Sequence, residues 1–219
     1  QTVDMSAMMT SMMETMANED GAKHEDGKII LVVEGVRDAS LVLWNGQNSA
    51  LWNYATDQNF MNDGDASYFV ENDKVRFTDE AATFKVELVG DLPCDTVFVD
   101  NTKAYTFNGS GAITGHATLV KTGTGRLTIT TDNTYTGGNR LSGGVVSVSS
   151  LSNANQAHGN LGAVTTKPTD FVMENGAVLQ TTAAVQMGSP IRFEGEEGGA
   201  INNSADFAMN KAFSGTVLT

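Results

Sequence analysis

Residues 119–148 read LVKTGTGRLTITTDNTYTGGNRLSGGVVSV: three short runs of alternating apolar residues, broken by turn clusters and joined by no long connection. KTGTG (121–125) and NTYTGG (133–138) are the turns, and 126–130 and 145–149 are strands that they separate. Strands this short at this regular spacing point to an all-β chain.

The alternation extends well beyond that stretch. Phe84, Val86 and Leu88 share one face, as do Val97 with Val99, Tyr105 with Phe107, and Leu127 with Ile129. Strand and turn continue through 171–180, 191–193 and 200–201. Two or three short strands per coil predict a rung of about 20 to 25 residues, the order expected of a β-solenoid. Each coil then buries its inward residues only against its neighbours, and stability is a sum over stacked rungs. Asn133, Asn153, Asn175 and Asn202 are placed at turns, where Asn tolerates the left-handed conformation. Gly137, Gly138, Gly143 and Gly144 suit positions of positive φ.

These residues resemble the autotransporter-associated β-strand repeat, whose usual form is L-T-K-T-G-x-G-x-L-x-L…N-x-Y-T-G-G-T…G-G-x-L-x-V. Val120 and Arg140 stand where small polar residues are common, and Val146 where Leu is common. Upstream, LWNG (43–46), LWN (51–53), NF (59–60) and NDKVRFTD (72–79) are similar to the segment that often opens such proteins, V-W-x-G followed by G-D-x-V-x-F-x-D. Phe60 replaces a second Trp there, and Asn72 the Gly before Asp73. The resemblance covers roughly residues 41–150. It implies a right-handed parallel β-helix in a surface-exposed or secreted Gram-negative protein, acting as a rigid stalk or binding scaffold. It also implies adjoining domains of the same parent protein as partners. Many large exported proteins with this repeat degrade polysaccharides, so a glycan-cleaving neighbour is one expectation.

Composition narrows the functions. The 219 residues suffice for one or two domains with a sizeable core. A net charge of −13, with 13 Lys and Arg scattered along the chain, argues against nucleic acid and anionic membrane surfaces. No apolar run approaches the ~20 residues that span a bilayer, and residues 1–16 lack the basic start and cleavage site of a signal peptide. The last residues, 213–219, read as an uncapped strand, and the chain is expected to be a piece of a longer protein with its solenoid continuing past residue 219. Cys94 stands alone, which leaves no intrachain disulfide, and is expected to be a half-buried thiol at a strand end.

The one convincing helix is 3–16. Met5, Met8, Met9, Met12, Met13 and Met16 form a single apolar stripe, expected to contact another domain or chain. The organisation expected is therefore a Met-rich helix and charged linker over 1–28, an entry or capping segment over 29–82, and solenoid repeats from 83 onward.

No motif supplies a reaction, and the chain is expected not to be an enzyme. A β-helix lyase or hydrolase needs clustered carboxylates with an acid–base partner. Asp57, Asp63 and Asp65; Asp73, Asp79 and Glu80; and Glu194, Glu196 and Glu197 are the acidic clusters; Asp63-Gly-Asp65 reads as a turn and 194–199 as an acidic tip, neither with an interleaved His or Lys. His24, His116, His158 and Cys94 have no metal-ligand spacing, so no metal or cofactor is expected. KTGTG opens a strand and offers no helix N-terminus to a phosphate. Trp44, Trp52, Tyr54 and Tyr68 read either as an aromatic platform for sugar rings or as an aromatic cap on the first rung. Three readings stay open: a structural or adhesin-like module, a polysaccharide-binding accessory, and a pectate lyase-like β-helix enzyme.

Overall fold

The computed structural model describes residues 24–25, 28–29, 36–209 and 214–215. The chain divides into two units, Gln1–Val36 and Arg37–Thr219. In the first, His24–Glu25 pairs antiparallel with Lys28–Ile29, at the end of the stretch expected to be a linker. The expected helix at 3–16, with Met5, Met8, Met9, Met12, Met13 and Met16, lies outside the described residues, as does most of 213–219. Among the described residues there is no α-helix, only a 3₁₀ turn at Pro168–Asp170.

The second unit is a parallel β-solenoid. Sheet one stacks Leu41–Trp44, Lys74–Phe77, Thr96–Asp100, Thr118–Thr122, Asn139–Ser142, Phe171–Glu174, Arg192–Glu194 and Ser214–Gly215 in that order. Sheet two stacks Leu51–Trp52, Lys85–Leu88, Tyr105–Gly109, Arg126–Ile129, Val145–Val148, Ala177–Thr181 and Gly199–Asn203. A thinner third side is made by Asp91–Pro93 on Ala112–Thr114 and by Val185–Met187 on Phe207–Met209. Between those pairs, single backbone bonds from Thr134 to Ile113 (3.0 Å), Thr136 to Gly115 (3.0 Å) and Ala163 to Tyr135 (2.9 Å) carry the stacking on. Val75 faces Val97 and Val97 faces Leu119, one turn in about 22 residues. Two turns, those after Leu51–Trp52 and after Val145–Val148, are longer by about ten residues.

Period-two alternation puts every second side chain inside. On sheet one the inward columns are Val42, Val75, Val97, Leu119, Asn139, Phe171 and Phe77, Val99, Lys121, Leu141, Met173. On sheet two they are Tyr105, Leu127, Val146, Leu179 and Val86, Phe107, Ile129, Val148, Thr181. All are buried. A core of this kind is built rung upon rung, each side chain packing mainly against the neighbouring rungs.

One end is closed by a hairpin. Phe60–Asn62 and Asp65–Ser67 pair antiparallel and add to Leu41–Trp44, with Leu43 opposite Met61. The turn is Asp63-Gly64, at φ 50° and 94°, the doubly left-handed geometry that suits a two-residue hairpin. The outermost strand is three residues long and carries exposed Asp65, which blunts the sheet edge against further pairing.

Candidate functional site

Three side-chain sites stand out of the ladder, and two of them are structural. Asp73 is completely buried and accepts from Arg37 at both carboxylate oxygens (2.9 and 2.6 Å), from the Ser40 amide (2.8 Å) and from the Val70 amide (2.8 Å). Arg37 also donates to the Tyr68 carbonyl (2.6 Å) and the Ser67 hydroxyl (3.0 Å). The pair ties the incoming chain to the capping hairpin and to the second rung. Asn72, beside it, has φ 64°, which explains how Asn occupies a place where relatives of this pattern carry Gly. Asp79 binds the next turn down: it accepts from the Thr102 hydroxyl (2.6 Å) and from the amides of Thr102 and Lys103 (3.0 Å each). The Thr102 hydroxyl bond and then the Lys103 amide bond hold its carboxyl below the usual range.

The second site is Lys121, read above as the first residue of a turn. It lies inside Thr118–Thr122 and points into the core, between Val99 and Leu141. Its Nζ donates to the carbonyls of Thr122 and Gly123, the latter at 3.0 Å. Gly123 has φ 72°, and a Cβ there would meet the Asn101 carbonyl oxygen at 2.3 Å, so the turn that presents these carbonyls admits only glycine. Burial pushes the ammonium down to about 8, against a partial upward pull from Asp100 and Asp79. A lysine whose folded value lies below its unfolded value of 10.5 costs stability while both states are protonated. That cost is relieved as pH rises from about 8 toward 10.5, because only the unfolded chain then holds the proton. Lys121→Met is therefore expected to change unfolding free energy differently across this window: wild type gains relative to the variant between pH 8 and 10.5 in urea titrations. A pH-independent difference would place the ammonium in water.

The sequence-derived candidates separate cleanly. Trp44 and Trp52 are 1% and 0% exposed, inside an aromatic cluster with Phe60, Phe69, Phe77 and Phe107, so neither ring face can meet a sugar. Trp44 Nε1 donates to the Thr83 carbonyl (3.0 Å). Tyr54 is exposed and edges onto Phe69, while Tyr68 lies under the Arg37 guanidinium. The four residues thus form no common face. Cys94 is fully buried rather than half-buried, and burial raises its thiol well above the usual range. Of the carboxylates read as clusters, Asp73 and Asp79 are bound as above, Asp57 accepts from the Asn53 side-chain amide (2.8 Å), and Glu194 pairs with Arg140 and Arg192. Among the described residues no group of three or more His, Cys, Asp or Glu could hold a metal. His116 bonds Thr136 (3.0 Å) at an exposed turn, and His158 pairs with Asp132 (2.8 Å).

The third site had not been singled out as a site in the residue patterns. On the outer face of sheet one, Met61, Leu43, Arg76, Phe98 and Val120 stand in one register column. Leu41 lies beside it, 53% exposed. Leu41, Leu43, Met61 and Arg76 floor an open hollow of about 810 Å³, whose rim includes Asp63, Asp79, Glu80 and Asp100. The signal was present as apolar residues at outward positions of alternating strands, positions that a solvated sheet face gives to polar side chains.

Residues 119–148 match the family model described as passenger-associated-transport-repeat. The Adhesin BmaC autotransporter of Brucella suis biovar 1 (strain 1330) is 31% identical over 120 residues, which make up 51% of this chain and 4% of that relative. The chain thus corresponds to a small part of the length of the curated relative it matches. No solved structure matches it. The matched repeat occupies two successive strands of each sheet together with the glycine turns between them, and the chain is accordingly a β-solenoid that carries a passenger-associated-transport-repeat over residues 119–148.

Proposed function

We propose that this chain is a non-catalytic, secreted or surface-exposed scaffold module, a rigid adhesin-type stalk rather than an enzyme, wound as a right-handed helix. The observation that carries this reading is the unbroken parallel ladder from Leu41–Trp44 to Ser214–Gly215, with the passenger repeat at its centre. Such a ladder commits its inward residues to stacking and most of its buried polar groups to turns, which favours mechanical continuity over a preorganised reaction centre. Right-handed winding follows the strong preference of parallel crossovers. The adhesin name of the relative supports a role in attachment. Purified chain incubated with pectin and host-type glycans is expected to release neither reducing ends nor unsaturated products. Product release that survives repurification would replace this reading with a β-helix hydrolase or lyase.

A further inference from the structure

The outer surface of a solvated sheet is ordinarily polar, and an apolar strip on it is an informative departure. Here the departure is confined to the capped end. Met61 and Leu43 on one side of Arg76, and Phe98 and Val120 on the other, form the strip along five neighbouring strands, and Arg140 follows Val120 in the column. Leu41 is the most exposed of the large apolar residues among those described. At strand spacings of about 4.8 Å the strip is about 20 Å long. The 810 Å³ hollow continues into a second of about 310 Å³ floored by Leu41, Arg76 and Phe98, the two sharing Leu41, Arg76 and Asp100.

The rim has the opposite character. Asp63 closes one end at the hairpin turn, and Asp79, Glu80 and Asp100 follow the ends of adjacent strands. Asp79 stays ionised, held so by the hydroxyl of Thr102 and the amide of Lys103. Arg76 reaches Asp100 at 3.3 Å, with both side chains about half exposed, a geometry that water and salt weaken. Lys103 is turned away, donating to the Asp79 carbonyl (3.0 Å) and lying over the Phe84 ring. The lining therefore combines an apolar floor with four carboxylates against one guanidinium.

We infer that this groove docks an extended peptide segment of another protein, one carrying alternating apolar and Lys or Arg side chains. The length of the strip suits about six extended residues, the floor gives apolar side chains a surface to cover, and the rim selects cations by charge complementarity. The same rim disfavours anionic glycans, nucleic acid and acidic lipid surfaces. The groove adds to the scaffold reading without depending on it, because a module that cuts glycans could carry it equally well.

The test is fluorescence anisotropy with the full chain and a fluorescein-labelled nine-residue peptide alternating Lys and Leu. Saturable binding is expected, weakened at least tenfold by Leu41→Glu and several-fold by Asp100→Lys or by raising salt from 50 to 300 mM. Glu87→Lys, on the exposed face of sheet two, is expected to leave binding unchanged. Thermal melts of each variant confirm that the fold is kept, and if Leu41→Glu does not fold, Asp63→Lys on the exposed hairpin turn reads the same rim. The proposal is overturned by no binding, by equal binding of a Glu–Leu peptide, by binding that Glu87→Lys weakens as much as Asp100→Lys, or by self-association of the chain that Leu41→Glu abolishes.

Discussion

Asp73→Ala is expected to destabilise the solenoid by about 3–5 kcal/mol, because it removes the buried carboxylate that neutralises the largely buried Arg37 guanidinium. The carboxylate is fully buried and accepts four hydrogen bonds, two from Arg37 and two from backbone amides of Ser40 and Val70. Removing it leaves the Ser40 and Val70 amides unmet and the guanidinium without its counter-charge, held only by neutral acceptors, which is the expensive way to break an ion pair. Urea unfolding of the full chain should show the midpoint shift, with cleavage near the capping hairpin appearing at lower urea than global unfolding. Replacing both partners, Arg37→Met with Asp73→Ala, is expected to recover part of the loss, since no lone charge remains. A single variant as stable as wild type would mean that the pair is solvated and the entry segment is not clasped by it.

Phe77→Ala should cost a similar amount, about 3–5 kcal/mol, by opening a cavity where the core is most aromatic. The Phe77 ring lies 4.8 Å from Phe107, 5.4 Å from Trp52, 5.6 Å from Tyr105 and 5.8 Å from Trp44, so four partners lose contact at once. Leu41→Ala, on the outward face of the same sheet, is expected to stay within about 0.5 kcal/mol. The reverse order in thermal and urea unfolding, a large loss at Leu41 and a small one at Phe77, would show that the inward and outward columns have been exchanged, a one-residue slip of register.

What could be read along the chain, and what could not, divides by distance. Tyr105 with Phe107 and Leu127 with Ile129 announce their burial locally, since alternation along one strand is enough. The rung length follows from turn spacing, and both appear in the structure. Lys121 misleads because Lys leading into a Thr-Gly-Thr-Gly run is ordinarily a turn residue, whereas here its amine is satisfied by the carbonyls of the turn it precedes. Arg37 and Asp73 lie 36 residues apart, and their pairing exists only because the hairpin brings the incoming strand over the second rung. Trp44 and Trp52 are ambiguous for the same reason: residue type cannot tell an exposed platform from a core, and only the hairpin that covers them decides. The Asn72 substitution was legible as a departure, and its positive φ shows it to be a conservative one.

The two long turns share one device. Asn59 accepts from the amides of Asn48 and Ser49, and Asn160 accepts from those of Ser149 and Ser150; each amide nitrogen donates back to a carbonyl, that of Leu51 or Thr131. A single buried side chain thus ties each excursion at its root, while the ladder on either side keeps its register. The segments between keep some duty to the core, since Trp52 lies in one and Leu151 in the other, both buried. Such a joint works like a socket: the exposed residues 154–158 at the tip can be exchanged, lengthened or re-chartered in sequence, and the column beneath them still stands. A surface built this way can change its face without rebuilding its spine.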